Sequence, residues 1–172
     1  MILRRHVKGD AVSEAVYSDC GAYRYALTRV WAMGPRVSFV MLNPSTATEV
    51  QNDPTVERCE RRARAMGYGG FAVGNIFGFR ATDPRVMRAQ ADAVGPENDA
   101  HVLQLAGWGE RVICAWGTHG AYLGRGAQVE ALLRRGGLQL WHLGLTLAGA
   151  PKHPLYIGYD RQPEPWDQAA RS

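Results

Sequence analysis

The sequence predicts a three-layer α/β fold, a four-stranded parallel sheet with helices on both faces, preceded by an antiparallel hairpin. Three observations predict it. Four short segments, 37–42, 71–75, 112–116 and 138–143, are dominated by apolar residues, as expected of strands covered on both sides. Segments with helical spacing separate them, and alternating strands and helices favour parallel pairing through right-handed crossovers. Finally, residues 15–31 alternate apolar and polar around Ser18-Asp19-Cys20-Gly21, a hairpin signal. The length of 172 residues fits one domain with a full core. That domain is read as 1–172, with an N-terminal hairpin extension over 1–34 and a core over 35–160.

In chain order, the hairpin is expected to add an antiparallel edge. Val37-Ser38-Phe39-Val40-Met41-Leu42 forms the first buried strand. Asn52-Asp53-Pro54 then offers a helix N-cap with proline in the first helical position. Val56, Cys59, Ala63 and Met66 recur at helical spacing, and Gly67 ends the run. Phe71–Asn75 is the second strand. Gly95-Pro96-Glu97-Asn98-Asp99 opens a helix running to about Ala106. Val112–Trp116 is the third strand. A helix near 122–135 carries Val129, Leu132 and Leu133 and stops at Gly136-Gly137. Leu138–Leu143 is the fourth strand.

Composition narrows the function classes. Hydrophobic residues are 46% and charged residues 21% of the chain, ordinary for a globular protein. No apolar run reaches the roughly 18 residues that span a bilayer, and Met-Ile-Leu-Arg-Arg-His lacks the apolar region of a secretory signal, so no membrane partner is expected. Cys20, Cys59 and Cys114 are odd in number and form no CxxC pair, which argues against a disulfide framework and for a cytoplasmic setting. The net charge is +4, and 18 of the 20 basic residues are arginine. Guanidinium groups suit phosphate and carboxylate, so nucleic acid or a nucleotide is a permitted partner. A GC-rich coding bias accounts for the same count.

In open parallel sheets, ligands bind beyond the carboxyl ends of the strands. This directs attention to Asn43-Pro44-Ser45, to Asn75-Ile76-Phe77-Gly78-Phe79-Arg80, to Trp116-Gly117-Thr118-His119 and to the segment reaching His153-Pro154. Pro44 keeps Asn43 out of the helical region, and the Asn43 amide can hold a water or a ligand edge, or close its own turn. An amide is no strong base. Ser45, Thr46 and Thr48 crowd further polar groups onto this loop. Asn75 either caps the strand end or reads the edge of a planar ligand. Of Phe77 and Phe79, one suits the core and the other a stacked ring. Arg80 suits a phosphate or an ion pair with Asp83. His153, between Pro151 and Pro154, can donate a hydrogen bond to a developing negative charge. His119 and Trp116 are further binding candidates, whereas His142 reads as a satisfied core histidine. Asp53, Glu97 and Asp99 suit helix N-termini. Arg58, Arg61, Arg62 and Arg64 read as a solvated helix face, with a phosphate-backbone patch as the sharper alternative. Asn43, His153, Pro44, Ser45, Asn75, Phe77, Phe79, Arg80, Trp116 and His119 are the candidate site residues. No HxH, HxxxH or CxxC spacing supports a metal site for His119, His153 and Asp53, and no P-loop, GxGxxG or GxSxG is present, so no cofactor is expected.

Two resemblances follow. Tyr23-Arg24-Tyr25, Met41 to Ala47, Asn52-Asp53-Pro54-Thr55, Asn75-Ile76-Phe77, Arg80-Ala81-Thr82-Asp83-Pro84, Gly95 to Asp99, Ala115-Trp116-Gly117 and His153-Pro154-Leu155-Tyr156 resemble the bacterial and phage family called domain of unknown function 1643. The order of motifs also resembles the uracil-DNA glycosylase superfamily. That resemblance implies a uracil-DNA-glycosylase-like fold and a nucleobase-recognising hydrolase that cleaves the N-glycosidic bond of a damaged or modified base. It implies that Asn43 positions water, that Asn75 reads the base, that Trp116-Gly117 ends the third strand, and that His153 serves the leaving base. Leu155 or Tyr156 would fill the stack vacated by a flipped nucleotide. The flanking glycine and second proline of the superfamily's motifs are missing. Two other readings share the same pocket: a hydrolase of free modified nucleosides or nucleotides, and a non-catalytic nucleotide- or nucleic-acid-binding module.

Overall fold

The computed structural model describes residues 1–168, and its centre is a mixed eight-stranded sheet. The strands are β1 (Ile2–Lys8), β2 (Ala11–Tyr17), β3 (Arg24–Val30), β4 (Val37–Met41), β5 (Gly70–Asn75), β6 (Arg111–Cys114), β7 (Leu140–His142) and β8 (Glu164–Pro165). Their spatial order is β1-β2-β3-β5-β4-β6-β7-β8. The pairings β4–β5, β4–β6 and β6–β7 are parallel, and all others are antiparallel. Helices α1 (Pro54–Ala65), α2 (Pro84–Arg88), α3 (Asn98–Ala106) and α4 (Arg125–Arg135) lie in the connections. No helix among the described residues is long and apolar enough to cross a membrane.

A four-stranded parallel sheet is therefore too narrow a description. The hairpin is present and adds an antiparallel wing to the parallel strands, but β1 lies outside it, so it is not itself the edge. Its second strand, β3, pairs antiparallel with β5 from Leu27↔Val73 to Val30↔Gly70, deep in the sheet. The actual edge is β1, whose residues from Leu3 to Val7 are exposed on both faces, so no period-two pattern marks it in the sequence. At the far side β8 has only two residues. The short α2 also lacks periodicity, although Asp83-Pro84 repeats the Asp53-Pro54 start of α1: Asp83 Oδ1 accepts from Arg85 N–H at 2.8 Å.

Every residue of β4 is buried, and successive side chains serve opposite faces. Val37, Phe39 and Met41 pack with Val56, Cys59 and Ala63 of α1. Val40 and Leu42 pack with Val102 and Ala106 of α3 and with Val129 and Leu133 of α4. This double coverage explains the continuous apolar run. All three cysteines are free thiols, with Cys59 and Cys114 inside the core.

Between β4 and α1 the chain has no regular structure, and its buried carbonyls need donors from elsewhere. Arg29 of β3 supplies them. Its guanidinium donates to Thr48 O at 2.9 Å, Gln51 O at 3.2 Å and Asn52 Oδ1 at 2.7 and 3.0 Å, and also to Ser13 Oγ. Glu60 lies 3.8 Å away as the counter-charge. Burial lowers the pKa of Arg29, with Glu60 opposing.

Replacing Arg29 with Met should leave these carbonyls without donors. We expect a loss of about 3 kcal/mol, read as a lower denaturant midpoint at unchanged slope, with hydrogen-exchange protection lost first over residues 44–53.

Candidate functional site

Beyond the carboxyl ends of β4 and β5 lies a narrow cleft. Met41, Asn43, Pro44 and Ser45 line it from the end of β4, Asn75 from the end of β5, and Asp53, Thr55 and Val56 from the start of α1. Arg24 of β3 and His153 complete the wall. The interior volume is about 30 Å³, enough for a water or two.

The polar groups of the cleft are fixed in complementary senses. Both Nδ2 hydrogens of Asn43 are taken by backbone carbonyls, Ala81 O at 2.8 Å and Pro44 O at 3.1 Å. Its Oδ1 is left as an acceptor with no partner among the described residues. Asn75, only 2% exposed, is oriented the other way. Arg24 Nη2 donates to its Oδ1 at 3.5 Å, so Nδ2 remains as the donor. Asn98 Nδ2 braces the same strand end by donating to Asn75 O at 2.8 Å.

His153 adds a second donor. Its Nδ1 accepts from Leu155 N–H at 3.3 Å, which caps the short 3₁₀ turn Pro154–Tyr156. With Nδ1 used as an acceptor, the neutral ring carries its proton on Nε2. Burial lowers the His153 pKa, Asp53 opposes this, and His119 adds to it. Gly117 makes room for the imidazole: at φ +72°, any Cβ there would stand 3.3 Å from the His153 Cβ.

Asp53 and Arg24 bring charge to the cleft. Asp53 Oδ1 accepts from Val56 N–H at 2.8 Å and Oδ2 from Ala47 N–H at 3.2 Å. The residue therefore caps α1, as expected, and also lines the site. Arg24 Nη1 donates to Ala47 O at 2.9 Å, and its Nε is buried without a hydrogen-bond partner. Burial pulls the Arg24 pKa down to about 10 against the pull of Asp53, so it remains a cation at neutral pH. Arg24 enters the sequence reading only within Tyr23-Arg24-Tyr25 and not as a site candidate, because one arginine in an alternating strand reads as an outward residue.

Other candidates lie elsewhere. Phe77 is fully buried and packs on Tyr122, with ring centroids 5.9 Å apart. Phe79 stands edge-on to Tyr23 at 5.7 Å. Neither lines the cleft. The N–H of Phe77 still bonds Leu42 O at 3.0 Å, which carries the residue past the strand end and into the α3–α4 side of the core. Trp116 is buried against Trp166 and walls a separate cavity. His119 is exposed beside His153. Arg80 does not pair with Asp83, which Arg85 takes at 2.9 Å. Glu97 and Asp99 are exposed and off the cleft, Asp99 paired with Arg125. The arginines of α1 form no free patch. Arg61 and Arg64 pair with Glu57, Glu60 and Asp10. Arg62 is buried and donates to Ile157 O, Gly158 O and Arg161 O at 2.8–3.1 Å, and Arg58 joins it at Ile157 O. Together they clamp the segment that follows His153. His142 is a satisfied buried histidine, its Nδ1 accepting from Gly144 N–H at 2.8 Å. Among the described residues, no three His, Cys, Asp or Glu side chains are placed to share a metal ion.

The family profile described as Protein of unknown function (DUF1643) matches residues 24–155, a span that contains the whole cleft from Arg24 to His153. No curated protein and no solved structure matches the chain, so the comparisons lend the glycosylase resemblance no support.

For His153 the lowered pKa has a sign. The native state favours the neutral ring, so its contribution to stability is complete above the ordinary value of 6.5 and is lost as pH falls through the lowered native value. Histidine side-chain NMR should find the Nε2–H tautomer, titrating below 6.5, and Asp53→Asn should lower the midpoint further.

Proposed function

Because the chain belongs to the family of unknown function DUF1643, whose name assigns no activity, we propose its function from the cleft: it recognises a nucleobase and acts as a DNA-glycosylase-like hydrolase, cleaving the N-glycosidic bond of a damaged or modified base. The observation that carries this reading is that Asn43, whose Oδ1 is left as an acceptor, lines the same small cleft as Asn75 and His153, whose Nδ2 and Nε2 are left as donors. The order of motifs resembling the uracil-DNA glycosylase superfamily is consistent with it.

The chemistry follows from the polarity of these groups. Water held by Asn43 Oδ1 adds to the anomeric carbon as the carbon–nitrogen bond breaks. The bond's electron pair stays with the base, and the water's proton ends on that departing base. The transition state is a sugar with oxocarbenium character and a base gaining negative charge. His153 Nε2–H and Asn75 Nδ2–H donate to that negative charge. The carboxylate of Asp53 favours the positive sugar. A cleft of about 30 Å³ admits water and a hydrogen-bonding edge, so the ring of the base sits at the mouth. Tyr156, 90% exposed on the turn after His153, is the side chain we assign to the stack vacated by a flipped nucleotide.

A second reading, recognition without cleavage, is favoured by Asn43 itself. An amide orients water but takes no proton from it, so any excision is confined to bases that leave readily or are already unpaired.

The test is a panel of single-stranded and duplex oligonucleotides carrying damaged or hypermodified bases, scored for released base. Release that falls at least 100-fold in Asn43→Ala, with substrate affinity within about threefold, supports hydrolysis. Binding without release, weakened in Asn43→Ala, identifies a recognition module. If no member of the panel is bound or cleaved, nucleobase recognition is wrong.

A further inference from the structure

Next to the cleft is a second cavity of about 320 Å³, bordered by Arg4, Tyr17, Thr48, Glu49 and Arg80. Arg80 and Arg4 both stand over the Tyr17 ring, with guanidinium carbons 5.0 and 5.9 Å from its centroid. Neither makes an ion pair among the described residues. Arg80 spends one donor on Gly21 O at 3.2 Å and keeps the rest of its fork. A guanidinium resting on an aromatic face keeps its in-plane N–H edges available for an oxyanion. The one carboxylate of the cavity, Glu49, is buried and accepts the Tyr17 hydroxyl at 3.0 Å. It also faces the buried Arg29, so the cavity keeps a net positive charge.

The cavity is built from the same chain segments as the cleft. Residue 81, next to Arg80, receives the Asn43 amide through its carbonyl, and its N–H bonds Pro44 O at 2.9 Å. Ser45 and Thr82 bond through their hydroxyls at 3.2 Å. Thr48 lies on the Asn43 loop.

We infer that the Arg4–Arg80–Tyr17 cavity holds a phosphodiester of a nucleic acid strand whose base is presented to the cleft. This rests on the nucleobase reading and adds its substrate class. The two guanidiniums over Tyr17 offer forked N–H donors to the oxygens of a phosphodiester. The cavity shares no lining residue with the cleft, so base and phosphate are held by separate walls, and the phosphate is assigned to a strand running past the cleft rather than to a free nucleotide.

The probe is a fluorescein-labelled eight-residue deoxyribose-phosphate oligomer lacking all bases, followed by anisotropy between 50 and 200 mM salt. The wild type should bind it. Arg4→Ala and Arg80→Gln, checked for unchanged circular dichroism, should each weaken binding at low salt at least fivefold and make the log–log salt slope shallower by about 1. Adenosine 5′-monophosphate should compete more weakly than the oligomer. The inference is overturned if the oligomer fails to bind, if the arginine variants keep the wild-type slope, or if the monophosphate competes equally well. Loss of slope in the arginine variants without base release from any panel oligonucleotide would retain this site and reject hydrolysis. Release of base unaffected by either arginine variant would do the reverse.

Discussion

The site depends on two buried guanidinium groups on one strand. Arg24 and Arg29 extend from β3 beneath the irregular segment between β4 and α1 and donate to its carbonyls at residues 47, 48 and 51. Where the loop is buried, as at Ala47, its carbonyls cannot hydrogen-bond to water, and one left unpaired would cost about 1–3 kcal/mol. These donors let the loop that carries Asn43 and Asp53 keep one shape at the ends of the strands. The antiparallel hairpin is therefore part of the site's foundation, and this explains why β3 lies in the middle of the sheet.

Orientation has been obtained at the expense of reactivity. Asn43 commits both amide hydrogens to backbone, Asn75 commits its oxygen to Arg24, and Asp53 has a backbone N–H on each oxygen. Each group keeps one face for a ligand. Such a site is suited to distinguishing donors from acceptors on a planar edge, and it lacks a group free to remove a proton from water.

Much of this was legible in the sequence because it follows from local rules. Apolar runs marked β4, β5 and β6, Asp53-Pro54 marked the start of α1, and the strand-end rule pointed to Asn43, Asn75 and His153, which the structure brings to one cleft. What escaped depends on partners distant in sequence. Arg24 acquires its place only when β3 pairs with β5, and Arg62 is buried only because residues 157–161 return over α1. Phe77 and Phe79 looked equivalent, yet a hydrogen bond to Leu42 O carries Phe77 into the core. The edge strand β1 has no buried face to pattern it.

The tethering of Asn43 bears on how the site can evolve. A single nucleotide change converts an asparagine codon to aspartate, the shortest route from a water-holding amide to a proton-accepting carboxylate. Here that step would set carboxylate oxygens against Ala81 O and Pro44 O, where Nδ2 now donates. Lone pairs would face lone pairs in a half-buried place, and the oxygen that now faces the cleft would be pushed from its position. The route to a stronger base therefore passes through a poorly folded intermediate, unless the turn at Ala81 is rebuilt first.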